Sequence, residues 1–242
     1  MKPFEKLTVF LLASNETDAL EKTIKGILKN CEYNDIDKIV IFLKSENCPS
    51  AFAAQEIINK GIYGKIETVV QKATQSADAI SEIPPLATGS HFVIMASDGE
   101  MSPESIRDFI SIAKEKPDAI ICGAKWHKDS VVENHALYRT FGSRFLDMFA
   151  AVLFGRKETD LFSIFQIYPV ELYKKMNFRP KRFLYEYTLK PIRFGTEYIE
   201  IPTTYKKEAK RKATATIQQL IVIAFKYCWH VIRIRFMPKK YL

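Results

Sequence analysis

Apolar runs of strand length alternate with stretches of helix length through the first half of this chain, and few architectures accept that order. "KLTVFLLAS" (residues 6–14) reads as a strand and is followed by a helix over Asp18–Asn30. "DKIVIFLKS" (37–45) is the next strand, with a helix over Ala51–Gly61 behind it. "KIETVVQK" (65–72) is the third, followed by a helical stretch, "SADAISEIPPLA", interrupted at Pro84 and Pro85. "SHFVIMAS" (90–97), the helix "SPESIRDFISIAKEK" and the strand "DAIICGAKW" (118–126) complete the series. Strand–helix alternation with short connectors predicts an α/β fold, a mostly parallel central sheet with helices on both faces. In such sheets ligands bind beyond the carboxyl ends of the strands.

The fourth strand ends in "ASDGEMSPE" (96–104). Ser102, Pro103 and Glu104 read as cap, first-turn proline and first-turn acid of the next helix. Asp98 and Glu100 lie before them, at the edge where chemistry is expected. A pair of acids in a turn is ordinarily solvated surface; at this place it is also a candidate for function.

A chain of 242 residues has ample material for a core, and 47% hydrophobic with 26% charged residues is the balance of a globular protein. Cys31, Cys48, Cys122 and Cys228 lie far apart without C-x-x-C spacing, which points to free thiols in a reducing compartment. The opening residues read as a first strand rather than a targeting segment, and no stretch approaches the roughly 20 apolar residues of a spanning helix. The net charge of +8 is uneven: from Glu171 onward there are 17 Lys/Arg and 5 Asp/Glu. An anionic partner for the C-terminal third follows, and composition leaves nucleic acid, acidic lipid and phosphate-bearing small molecules all open.

Six segments in order resemble family 2 glycosyltransferases of the GT-A nucleotide-diphospho-sugar fold, most of all the polyprenyl-phosphate sugar synthases. They are "VFLLASNETDALEKTI", "QSADAISEIPPLATGSHFVIMASDGEMSPE", "IICGAKW", "YRTFGS", "DLFSIFQIYPVEL" and "FLYEYTLKPIRFGTEYIEIPTTYKK". The resemblance implies a nucleotide-sugar donor, a divalent cation (Mg or Mn) held by Asp98 and Glu100, and inversion at the anomeric carbon. It also implies donor or diphosphate contacts at Asn15, Glu16, Lys125, Arg139, Ser143, Lys207, Lys210 and Arg211, with Asp160 and Glu186 as the acids available to act on the acceptor. Asn15 and Glu16 read equally as a helix cap and first-turn acid, and residues 207–212 equally as a solvated charge run. The pattern departs from the family at Leu43 and Lys44, where paired aspartates are usual, at Ala96 in place of the first Asp of D-x-D, and at Gln166 in place of an arginine.

The reading divides the chain into a catalytic domain over 1–212 and a basic amphipathic helix within 213–242. In that tail Lys226, His230 and Arg233 share one helical stripe, while Ile217, Leu220, Ile221, Phe225, Cys228, Trp229 and Ile232 make a broad apolar face. Such a helix suits a membrane interface, and it suits equally the cover of a core or a dimer contact. The expectation is a glycosyltransferase at the cytoplasmic membrane face, acting on a lipid phosphate or lipid-linked glycan in polysaccharide biosynthesis, with no nucleic acid partner. A catalytically inactive sugar-nucleotide-binding relative, favoured by Ala96, Leu43 and Lys44, and a nucleotidyltransferase, disfavoured by the lack of a Gly-rich phosphate loop, stand as alternatives.

Overall fold

Alternate residues of the first strand, β1 (Leu7–Ala13), point to opposite faces of a sheet and both faces are covered. Leu7, Val9, Leu11 and Ala13 enter one core cluster and Phe10 the other. This is the arrangement in the computed structural model, which describes residues 2–61, 63–74, 76–133, 137–179, 183–206 and 217–238. The remaining strands of the main sheet are β2 (Ile36–Leu43), β3 (Ile66–Val70), β4 (His91–Ala96), β5 (Ile120–Ala124), β7 (Gln166–Pro169) and β8 (Tyr198–Pro202), in the order β3-β2-β1-β4-β7-β5-β8. Every pair is parallel except the two made by β7, which runs antiparallel between β4 and β5. Two short strands, β6 (Val131–Val132) and β9 (Thr204–Tyr205), pair separately.

The first cluster is closed by α1 (Asp18–Asn30), α2 (Pro49–Asn59) and α4 (Ser105–Glu115), through Leu20, Ile24 and Ile27, Ala54 and Ile57, and Ile106, Phe109 and Ile110. The second is closed by α5 (Leu137–Phe154), α7 (Phe183–Arg193) and α8 (Ile217–Phe236), through Ala150, Leu189, Ile192, Val231 and Ile234. The α6 turn (Val170–Lys175) follows β7. Apolar burial of this kind contributes about 1.5–3 kcal/mol for each large aliphatic or aromatic side chain.

Four local expectations are revised. The stretch 76–87 holds only one turn of α3 (Ser76–Ala79) and two 3-10 turns, because Pro84 and Pro85 offer no N–H to an i→i−4 ladder. The second helix starts at Pro49, a residue suited to a first helical turn. Regular α4 begins at Ser105, and Ser102 turns back on the Glu104 carboxylate. Glu16 is no first-turn acid: its Oε2 accepts the N–H of Ser14 at 2.5 Å and of Asn15 at 2.9 Å, closing the loop before α1.

One ion pair is sealed inside this frame. Glu186 and Lys190, a helical turn apart on α7, meet at 2.9 Å with side chains only 2% and 1% exposed. Lys190 Nζ also donates to the carbonyl of Asn177, and Glu186 Oε2 accepts the N–H of Arg179 at 2.9 Å. Removing one partner of such a pair leaves the other charged and dry, so Lys190→Met should lower unfolding free energy by about 3–5 kcal/mol. Urea denaturation measures it, and a loss well under 1 kcal/mol would show that the pair is not desolvated in solution.

Candidate active site

Because β1, β2, β4, β5 and β8 run in one direction, the segments after them share one edge of the sheet. Ser97 fixes the departure of the chain from β4, its Oγ donating to the carbonyl of Leu12 at 2.7 Å. Asp98 Oδ1 then accepts the N–H of Glu100 at 2.9 Å, and Gly99 between them has φ +82°, a left-handed conformation that glycine adopts without a Cβ clash. Beyond this turn the chain zips against β9: the Lys206 N–H donates to Glu100 O at 2.8 Å and the Ser102 N–H to Thr204 O at 3.2 Å. The two acids therefore sit half-buried on a turn tied down at both ends.

Lys125, just past β5, reaches the same place. Its Nζ lies 3.1 Å from Glu100 Oε1 and over the rings of Tyr205 at 4.9 Å and Trp126 at 5.5 Å. Its backbone N–H donates to Asp160 Oδ2 at 2.7 Å. Asp160 is held in turn by Glu200 of β8, whose Oε1 accepts the N–H groups of Thr159 at 2.7 Å and Asp160 at 2.6 Å, while its Oε2 accepts the Thr159 hydroxyl at 3.0 Å. Below them Asp147 of α5 accepts the Leu161 N–H at 3.0 Å. Burial pushes the Asp147 carboxyl up to about 8, reinforced by the charge of Asp160. Burial also raises Asp160, to about 6, against the opposing pull of the Lys125 N–H. Both carboxyls are thus pushed upward by burial, Asp147 the further of the two.

The structure brings together Asp98, Glu100, Lys125 and Asp160. Asn15 and Glu16 lie at the end of β1 on the same edge, where Lys44 after β2 donates its N–H to Ala13 O. Ser143 lies on α5, as does the backbone of Arg139, whose side chain is outside the described residues. Lys207, Lys210 and Arg211 are also outside the described residues. Glu186 belongs to the buried pair with Lys190. Gln166 is fully buried, its amide donating to Ser163 O, Thr188 Oγ1 and the Tyr198 hydroxyl, and Leu43 is buried at the end of β2. Sequence reasoning missed Asp147, Glu200 and Tyr205, which only the fold makes neighbours of Lys125 and Asp160, and Trp126, which follows Lys125 in the chain and carries its ring beneath the ammonium.

The chain matches the family described as glycosyl transferase family 2 over residues 8–176. Similar solved structures include glucosyl-3-phosphoglycerate synthase from Mycobacterium tuberculosis in complex with Mn2+, UDP-glucose and phosphoglyceric acid. That likeness has a TM-score of 0.66 at 13% identity over 97% of this chain and 81% of the other. The same enzyme in complex with Mg2+ and UDP gives 0.65 at 12% identity, covering 97% and 80%. At this identity the likeness shows the fold, and the GT-A architecture is the one observed here.

The raised carboxyl of Asp147 has a consequence for stability. A group whose folded pKa exceeds its unfolded value, about 4 for Asp, binds its proton more tightly when folded, so its contribution is lost as pH rises from about 4 toward about 8. Asp147→Asn, which keeps an acceptor for Leu161, should flatten the fall of stability across that window. An unchanged pH profile by chemical denaturation would place the titration elsewhere.

Proposed function

This chain belongs to glycosyl transferase family 2, and we propose that it moves a sugar from a nucleotide-diphosphate donor to a lipid phosphate or lipid-linked glycan, with inversion in a single displacement. The observation that carries the reading is the Asp98–Gly99–Glu100 turn closed on Lys125 at the carboxyl edge of the sheet. Carboxylate oxygens suit hard cations such as Mg2+ or Mn2+, which are commonly held by one or two protein carboxylates together with substrate phosphates. Among the described residues no group of three or more His, Cys, Asp and Glu is gathered as a metal cage. Asp98 and Glu100 would hold the ion, and when bound it neutralises charge on the departing diphosphate.

Lys125 is the fixed cation beside that position. Asp160 and Glu200 hold it from beneath, and the aromatic faces of Trp126 and Tyr205 limit where its ammonium can go. Asn15 and the turn after β2 stand where a nucleoside would extend away from the diphosphate, with Ser45 and Asn47 supplying hydrogen-bonding groups in place of the family's aspartates. Arg139, Ser143, Lys207, Lys210 and Arg211 are the remaining phosphate contacts in this reading. Asp160 is only 5% exposed and one of its oxygens is committed to Lys125, which favours an acceptor needing no base. A phosphate oxygen is already anionic, whereas a hydroxyl must lose a proton as it attacks. Among the described residues no helix is long and apolar enough to cross a membrane, and the reading places the protein peripherally on the cytoplasmic membrane face.

The test is transfer from a panel of nucleotide sugars to a polyprenyl phosphate, with and without manganese. Asp98→Asn should abolish manganese-dependent donor binding and leave the melting temperature nearly unchanged. Lys125→Ala should cost on the order of 2–4 kcal/mol in the transition state, roughly a hundredfold or more in turnover. Donor binding without turnover in the wild type would instead assign the chain to the inactive relatives. Full donor binding by an unstable Asp98→Asn would make the turn purely structural.

A further inference from the structure

The last helix carries two apolar faces, and the fold uses one. Val231, Ile234 and Met237 are buried. Val222, Phe225, Trp229, Ile232 and Phe236 recur at three- and four-residue spacing on another side, with Phe225 75%, Trp229 66% and Phe236 71% exposed. An aromatic stripe of this length left in water marks a contact surface rather than ordinary exterior. Lys226 and Arg233, seven residues apart, run along one edge of it, and no acidic residue occurs from 209 to 242.

Beside the C-terminal half of the stripe lies a groove of about 480 Å³, where Arg179 and Arg233 meet Trp229, Ile232, Phe236 and Met237. The segment bearing Arg179 is anchored from within: its N–H is held by Glu186, and Lys190 holds both Glu186 and the carbonyl of Asn177. Among the described residues neither Arg179 nor Arg233 makes an ion pair. Two guanidinium groups on an otherwise apolar wall fit an amphiphile with an anionic head.

We propose that this groove takes the phosphate headgroup of an anionic membrane lipid while the exposed stripe of α8 lies in the membrane interface. Aromatic and aliphatic side chains enter the headgroup boundary, and the flanking cations meet its negative potential. A second copy of the chain fits less well, since a two-fold contact on this face would set the same cations against themselves. A free phosphate answers the arginines and leaves the aromatic stripe in water. The inference deepens the lipid-acceptor reading and is independent of how the donor is held.

Cosedimentation of the full chain with phosphatidylcholine vesicles, with and without phosphatidylglycerol, tests it. Binding should require phosphatidylglycerol and weaken with salt. Arg179→Gln with Arg233→Gln should weaken it about thirtyfold, from roughly 1 kcal/mol for each lost cation. Phe225→Ser with Trp229→Ser should remove it; Arg179, Phe225 and Trp229 are exposed and Arg233 is half-buried, and none belongs to the buried core. Equal binding by parent and arginine variants, or equal binding to neutral vesicles, overturns the proposal. So does a dimer by sedimentation equilibrium that Trp229→Ser dissolves, which would give the stripe to a second copy, or saturable binding of inorganic phosphate with no vesicle binding. UDP with manganese in a thermal-shift assay separates the two readings. No vesicle binding by the unmodified chain with UDP binding present sinks the groove alone, and vesicle binding without UDP binding sinks the transferase reading alone.

Discussion

A carboxylate taken out of water must be answered by fixed donors or give up its charge, and much of this fold is shaped by how three of them are answered. Asp160 is met by the N–H of Lys125, Asp147 by the N–H of Leu161, and Glu186 by Lys190 and the N–H of Arg179. In each case a donor is main chain, so each acid pins a stretch of backbone that would otherwise be free to move. The Lys125 turn, the 159–161 segment and residues 177–179 are built on these bonds. Glu200 adds a further clamp by receiving two consecutive N–H groups on one oxygen. Asp147 yields in the other direction, holding its proton into neutral pH because only part of its desolvation is offset.

The reversed strand β7 gives these loops a common address. A parallel strand delivers its carboxyl end to the site, but β7 runs the other way, so the segment leading into it, from Asp160 to Phe165, arrives at the same edge. Room for it comes from Gly123 on β5, where an added Cβ would stand 2.8 Å from Phe165 Cδ1. Phe165 in turn packs on Phe109 of α4 at 4.9 Å between ring centres. A glycine inside a strand thus lets the segment from Asp160 to Phe165 lie close against the sheet.

The elements legible from sequence are those governed by local rules. Helices α1 and α8 fall where periodicity and charge placed them, and the Asp98–Glu100 turn is where a strand of Val93, Ile94 and Met95 must surrender to a loop. What was illegible is set by long-range partners. Asp147 and Glu200 lie 13 and 40 residues from Asp160 in sequence, and no periodicity links them. The reversal of β7 is decided by the neighbours available to it, not by "QIYP" itself. Glu16 reads as a first-turn acid, yet backbone N–H groups of its own loop claim it first. Glu186 has the position of a candidate acid, and a lysine one turn on makes it an anchor.

The tail shows how one pattern can satisfy two demands that composition presents as rivals. A helix whose apolar residues exceed the arc needed for one contact has two faces, and α8 gives its inner one to the core. That face is stitched down by polar bonds as well: Arg193 donates to the Ile234 carbonyl and Arg235 to that of Leu153. Tyr227 meets Phe162 at 4.3 Å between ring centres, two residues beyond Asp160. The helix that bears Phe225, Trp229 and Phe236 on its outer face thus packs on the segment whose Asp160 accepts the Lys125 N–H. Covering the core and presenting an apolar surface are not competing roles for this helix, because its inner face is taken by the first and its exposed aromatic edge is left for the second.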